Sequence, residues 1–334
     1  MNPAAHRPPG ALVAVALGTV YLLWGSTYLA IAYVVETLPP LLAAGARFLV
    51  AGSLLVSFVA AQARWRHRRG RSMTLELPSL IHWRTALIVG GLLLFGGNGM
   101  VMIAERTIPS GLAAVILATV PIWMSVFDAL LTRRAPSPLA IGGLVVGLAG
   151  VAILLAPSEG VAALDPVGIG LLVVATISWS AGSLYARRGP QTRNALLGTG
   201  MQQVAGGAVL VGVGLVIGEL GDTDLSSVST ASALGLLYLI VFGSLVAFTA
   251  YVWLLNNVPV TTVSTYAYVN PVVAVALGLF IRGESLSLRS LLAAALIIGA
   301  VVAMVTGRPR QVEQTGPGPA AAVEPVDESE EASA

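Results

Sequence analysis

Apolar residues fall in runs of about twenty along almost the whole chain, with short polar stretches between them. A helix needs about that many residues to cross roughly 30 Å of hydrocarbon. The pattern predicts ten spans, at 11–33, 39–62, 84–104, 109–131, 139–156, 166–187, 195–218, 232–255, 260–281 and 288–306. Composition supports the reading: 56% of the 334 residues are hydrophobic and only 10% are charged, against about 25% charged in an ordinary soluble domain. The expected fold class is an all-α polytopic membrane protein. The first run, 11–35, exceeds the apolar core of a signal peptide and reads as a retained span.

The few charges set the topology. Every Lys or Arg position is an arginine. The segment "ARWRHRRGR" (63–71), Arg133 and Arg134, Arg187, Arg188 and Arg193, and the tail's Arg308 and Arg310 all fall on one side of a ten-span count. Short cytoplasmic loops retain excess Lys and Arg, so both termini are expected in the cytoplasm. Glu36, Glu159, Asp165, Glu219, Asp222 and Asp224 lie in the opposite loops, and the loop in which Arg282 and Arg289 flank Glu284 dissents mildly. Residues 1–10 then form a cytoplasmic arm. The acidic end, 307–334 ("EPVDESEEASA"), lacks the apolar content to fold and is expected to be a disordered cytoplasmic tail. The net charge of +2 is spread over loops, which gives no reason to expect a nucleic-acid partner. Cysteine is absent, so disulfides and thiolate chemistry are excluded; the three histidines lie outside the spans, and neither metal nor cofactor is expected.

Two prolines interrupt this pattern twice. In "ERTIPSGLAAVILATVPIW" they are Pro109 and Pro121, and in "LNNVPVTTVSTYAYVNPVV" they are Pro259 and Pro271, each 150 residues on (259 − 109 = 150; 271 − 121 = 150). Proline removes a donor and crowds the carbonyl four residues back. Lipid tolerates it inside a helix where neighbouring helices, hydroxyls or water satisfy that carbonyl, here those of Leu117 and Ala267, with Thr119 and Asn270 close by in sequence. Other pairs match: "GLVVGLAGVAILLA" answers "ALIIGAVVAMVTG", and "LLWGSTYLA" answers "ISWSAGSLYA". Two five-span units, 11–157 and 163–306, follow. Five is odd, so the second unit enters from the opposite side, an inverted repeat of the kind transporters use to hold a midplane site and alternate access. Pro121 and Pro271 are the expected hinges.

The segments "YLLWGSTYLAIAYVVETLPPLLAAGARFLVAG" (21–52) and "GGNGMVMIAERTIPSGLAAVILATVPIW" (96–123), with the Gly283-Glu284 pair, resemble the EamA branch of the drug/metabolite transporter superfamily. The resemblance implies ten helices in two inverted halves, a bacterial inner-membrane location, and efflux of amino acids, nucleosides or other small amphipathic or toxic compounds. One departure is clear: Arg133-Arg134 stands where the family often has a glutamate after the fourth span.

Candidate substrate-binding residues follow from depth. Trp24, Trp123 and Trp179 lie near the centres of their spans, unlike Trp65, Trp83 and Trp253 at span ends. Tyr28 shares a helical face with Trp24, as Tyr266 does with Asn270. Together they suggest an aromatic cavity able to stack planar groups or hold a cation, although each ring alone could simply be packing. Arg47 is the one firmly intramembrane charge; it could bind a substrate carboxylate or tie helix ends together. Asn98, in glycine-rich "GGNGM", could contact substrate or a neighbouring helix. Carboxylates near the midplane are missing, which leaves proton antiport weakly supported and facilitated export open.

The expected partners are a small-molecule substrate and the lipid bilayer; oligomeric state is not legible. A membrane enzyme is the rival class, but an intramembrane serine-histidine pair, clustered acids or a basic phosphate cradle is not visible. An importer or facilitative carrier would share the fold. The arginine asymmetry makes one direct prediction: alkaline phosphatase fused near Ser158 or Gly221 should be active and near Gly70 inactive, and the reverse pattern would overturn the topology.

Overall fold

The computed structural model describes residues 9–69, 77–133, 138–155, 165–221, 224–258, 263, 265–283, 288, 291–293, 295–296 and 298–300. The arm, most of the loop 63–71 beyond Arg69, Pro259, Glu284 and the acidic tail lie outside the described residues, apart from Pro9 and Gly10 of the arm. Seven helical stretches are long and apolar enough to cross a membrane: α1 (Gly10–Thr37), α2 (Pro40–Arg68), α3 (Leu80–Ala104), α4 (Ser110–Leu131), α6 (Pro166–Arg188), α7 (Ala195–Val216) and α8 (Thr230–Asn257). The 18-residue helix α5 (Pro138–Leu155) and the shorter apolar helices Val269–Ile281 and Leu291–Ala300 lie where the sequence predicts the other three. Seven spans therefore meet the length and composition requirement among the described residues.

Helix ends are set by local chemistry. Pro40 opens α2, where its fixed φ suits the first turn and its missing N–H costs nothing. Asp165 caps α6, accepting from the Val167 backbone N–H at 3.0 Å and from Thr107 Oγ1 at 2.8 Å. The Thr107 hydrogen bond, with the Val167 N–H behind it, holds the Asp165 carboxyl below its ordinary pKa. Asn194 and Ser229 cap α7 and α8 through Leu197 N and Ser232 N. Arg133, in the left-handed region at φ 53°, ends the helix Val120–Thr132.

The most closely packed pair of helices is α2 and α7, which run antiparallel. Gly45 faces Gly207 while Gly52 faces Gly200, so the chain directions oppose. A Cβ at Gly52 would stand 2.7 Å from the Gly200 carbonyl oxygen, and one at Gly206 would stand 2.7 Å from that of Gly90 in α3. Only the absence of a side chain lets these backbones touch, which is how helices gain dispersion energy in lipid, where no hydrophobic force pushes them together. The contacts are reciprocal: Gly45 and Gly200, like Gly52 and Gly207, are 155 residues apart (200 − 45 = 155; 207 − 52 = 155). Beyond the C-terminal end of α7, the Glu219 carboxylate accepts from the backbone N–H groups of Leu41 and Leu42 at 3.1 and 2.9 Å. A negative charge is favoured at that helix N-terminus.

Two spans share an irregularity that the sequence does not announce. In α3 the residues Gly91–Gly99 are π-helical, and in α8 so are Leu239–Ala247. The two segments are of equal length and 148 residues apart (239 − 91 = 148). Each lies against the first span of the other half of the chain, α6 and α1 respectively.

Overpacking the glycine seam is expected to be costly. Gly206→Val should lower the stability of the protein in detergent by about 1–3 kcal/mol, the usual range for forced packing. Gly212→Val is the control, because a Cβ there meets nothing within 4 Å. Denaturant midpoints of the two variants check this, and equal midpoints would contradict it.

Candidate functional site

A cavity opens between the halves of the chain. It is lined by α1 (Trp24, Thr27, Tyr28, Ile31), α2 (Arg47), α3 (Gly97, Asn98, Val101), α4 (Ala114, Leu117, Ala118, Val120), α6 (Ala175, Trp179), α8 (Phe248) and the helix Tyr266–Leu277 (Tyr266, Ala267, Asn270, Pro271). It holds about 700 Å³ of atom-free space, including its open part, and about 70 Å³ of this is open to the centres of water molecules. A single water needs about 10–15 Å³ on that measure, so the cavity has room for several.

Its aromatic wall is organised around Trp24. The indole sits 5.5 Å from Trp179 and 5.2 Å from Tyr266 by ring centroid, both edge-on, and 4.7 Å from the tilted ring of Tyr251. Edge-to-face pairs match the positive rim of one ring to the negative face of the next and add about 0.5–1.5 kcal/mol each beyond burial. The Trp24 ring N–H donates to the Gly243 carbonyl oxygen at 3.3 Å. Gly243 lies in the π-helical segment, and its carbonyl also accepts the Phe248 backbone N–H five residues on, so its two lone pairs serve two donors. A matching link runs the other way: Ser178 Oγ of α6 donates to the Leu92 carbonyl in the π-helical part of α3 at 2.8 Å. Each first span thus anchors to an irregular carbonyl in the other half. Tyr251 is held in turn by Ser183, with 3.0 Å between hydroxyl oxygens.

Arg47 reaches the cavity from the α2 seam with only 3% of its surface exposed. Its Nε donates to Ser244 Oγ at 2.7 Å, and the guanidinium lies 4.6 Å from the Phe48 ring centroid. Gly243 makes the slot, since a Cβ there would stand 2.7 Å from Arg47 Nη2. The Nη1 atom is buried and has no hydrogen-bond partner among the described residues. Placing arginine at this depth costs about 2.5–3.5 kcal/mol on insertion scales, and one Ser hydroxyl meets only part of its donor capacity.

Asn270, 3% exposed, faces the carbonyls of Tyr21 (3.2 Å) and Tyr266 (3.1 Å), two acceptors that assign its amide nitrogen, as donor, to that side. Pro271, inside its helix, lines the cavity beside it. The expected relief of Ala267 thus takes another form, because the amide serves the carbonyl one residue earlier and a partner helix. In α4 the helix breaks outright: Ser110–Leu117 ends, Val120–Thr132 begins, and Pro121 occupies the first turn of the second piece. Thr119 Oγ1 donates to Ile116, not Leu117, at 2.8 Å.

Trp24, Tyr28, Arg47, Asn98, Trp179, Tyr266 and Asn270 converge on one cavity. Trp123 does not line it; it lies 6.4 Å from Phe127 on α4. The break before Val120 resets the angular register of α4, so depth alone does not decide which way Trp123 faces. Thr27 and Ile31 were open to inference, three and seven residues after Trp24 on the same face. Phe248, Ser244 and Tyr251 were not, because the π-helical segment before them shifts the periodicity that would have flagged a face. Asn98 makes a long 3.4 Å contact to the Leu93 carbonyl in the corresponding segment of α3. Glu105, buried where α3 ends, is not among the lining residues. Among the described residues no group of three or more histidines, cysteines or acids could hold a metal.

The EamA-like transporter family matches the chain twice, over residues 10–156 and 166–306. The uncharacterized inner membrane transporter YedA of Escherichia coli K12 is 40% identical over 294 residues, covering 88% of this chain and 90% of that protein. The protein PecM of Dickeya dadantii is 28% identical over 84% of this chain and 87% of its own length. A solved crystal structure shares the fold with a TM-score of 0.60 at 20% identity, over 88% of this chain and 96% of that one. The two matched domains mark the halves of the chain as duplicates, and the family is one of transporters, not enzymes. This multi-span membrane protein belongs to the EamA-like transporter family.

Proposed function

We propose that the protein is a bacterial inner-membrane exporter of small amphipathic or otherwise toxic metabolites, working by alternating access around the cavity between its halves. The observation that carries this reading is the joint lining: Trp24, Tyr28, Arg47 and Asn98 come from the first half and Trp179, Tyr266 and Asn270 from the second. A site shared across a repeat boundary changes shape whenever the halves move, as alternating access requires.

Ten spans in two inverted halves, 11–157 and 163–306, with both termini cytoplasmic, belong to the same proposal. The reciprocal glycine contacts of α2 and α7, the paired π-helical segments and the 150-residue proline offset all support it. The eight named side chains, Trp123 included, are proposed to affect substrate binding, Trp123 from outside the cavity wall. Pro121 and Pro271 act as hinges, since one begins a new helical piece and the other interrupts the hydrogen-bond ladder of its own. The location is carried by the likeness to an inner membrane transporter. An importer of the same fold is the second reading, because nothing in the cavity wall fixes a direction.

An untargeted comparison of medium and cell extracts from overexpressing and deletion strains tests both. Export requires a compound that rises outside the overexpressing cells, whereas accumulation inside them would favour import. For that compound, Trp24→Ala should cut flux about tenfold, the equivalent of about 1.4 kcal/mol, at unchanged membrane abundance. Unchanged flux would return Trp24 to a packing role.

A further inference from the structure

We infer that the cavity selects organic anions, with Arg47 holding a carboxylate or similar acid and the ring wall holding a flat apolar body. This rests on the carrier reading above and names its substrate class. Arg47 is the one charged side chain among the residues that line the cavity. It is fixed in place: Ser244 takes Nε at 2.7 Å, the side chain at position 244 is fully buried, and the absent side chain of Gly243 leaves the slot the guanidinium fills. Its Nη1 is left without a hydrogen-bond partner among the described residues. A planar guanidinium with one edge anchored and another nitrogen unengaged is suited to an acid whose oxygens lie in its plane.

The rest of the wall fits such a ligand and opposes its alternatives. Trp24, Trp179 and Tyr266 supply flat apolar surface, and Thr27, Tyr28 and Asn98 supply neutral polar groups. Carboxylates are absent from the lining residues, the buried Glu105 lying behind Tyr28 and outside the wall, so a cation in the cavity meets Arg47 with no carboxylate to contact. A zwitterion pays the same repulsion at its ammonium group. An anion also needs no proton gradient to leave: an inside-negative potential of 100 mV favours its exit by about 50-fold per charge. This accounts for a cavity wall without a proton-carrying carboxylate or histidine.

Three compounds with one ring and different charges test the selection: phenylacetate, phenethylamine and phenylalanine. Binding is read from the tryptophan fluorescence of the full-length protein in nanodiscs. Phenylacetate should bind at least about tenfold more tightly than either of the others. Arg47→Gln should bring the three within about twofold, Arg47→Lys should keep part of the preference, and Ser244→Ala should weaken phenylacetate alone by about three- to tenfold. Ser244→Ala leaves the charge in place, so it remains informative if Arg47→Gln does not yield folded protein. Equal or tighter binding of the amine or the amino acid, an undiminished preference in Arg47→Gln, or no saturable phenylacetate binding would overturn the inference. Flux of phenylacetate from proteoliposomes under an imposed potential separates the two readings. Selective binding without flux would sink the carrier and leave the anion site standing.

Discussion

Inside hydrocarbon a carbonyl released from its helix has no water to turn to, so whatever frees it must come with a donor from the protein. That constraint organises the centre of this molecule. In the π-helical segment of α8, Gly243 accepts the Trp24 ring N–H beside its own backbone bond from Phe248, and in the matching segment of α3 Leu92 accepts Ser178 Oγ. Ser244 engages both sides at once, through its hydroxyl to Arg47 and through its carbonyl to Gln203 Nε2 at 3.2 Å. Part of this irregular backbone is thus satisfied by the opposite half of the chain, through Trp24 and Ser178. The two halves therefore stabilise each other where the cavity forms.

The glycine seam and the cavity are two consequences of one packing choice. Bare backbone contact between α2 and α7 draws these helices together on one side. Bulky rings on α1, α6, α8 and the helix Tyr266–Leu277 keep the other side apart. Small residues close a gap and large ones prop one open, and the void lies between the props. The broken helix of α4 and the proline-bearing helix after α8 contribute Leu117, Ala118, Asn270 and Pro271 to its wall. A helix break and an interior proline each remove internal hydrogen bonds that would otherwise resist movement of the wall.

Much of this was legible before any coordinates. Span length, the internal repeat and the depth of Trp24, Tyr28, Arg47, Trp179 and Asn270 all follow from spacing, because a helix converts sequence distance directly into height in the membrane. What spacing does not convert is rotation across an irregular turn. Trp123 has the right depth yet follows the break at Ala118 and Thr119, and it lies outside the cavity wall. Phe248 follows nine π-helical residues and lies inside it. Neither nine-residue π-helical segment announces itself in the sequence, since both are apolar runs with glycine. Glu219, read from sequence as a loop acid, is a helix cap because its loop returns to α2. Of the spans expected from the sequence, seven meet the length and composition requirement among the described residues.

The central claim is that the hollow between the halves admits water while its surroundings do not. The chain has no cysteine of its own, so single thiols can be placed without background. Thr27→Cys and Asn270→Cys, both on the cavity wall, should react with a charged methanethiosulfonate reagent supplied from at least one side of sealed membrane vesicles. Val20→Cys, in the dry core with no exposed surface, should not. If neither wall position reacts from either side under any condition, while a loop cysteine does, the hollow is sealed and the account fails.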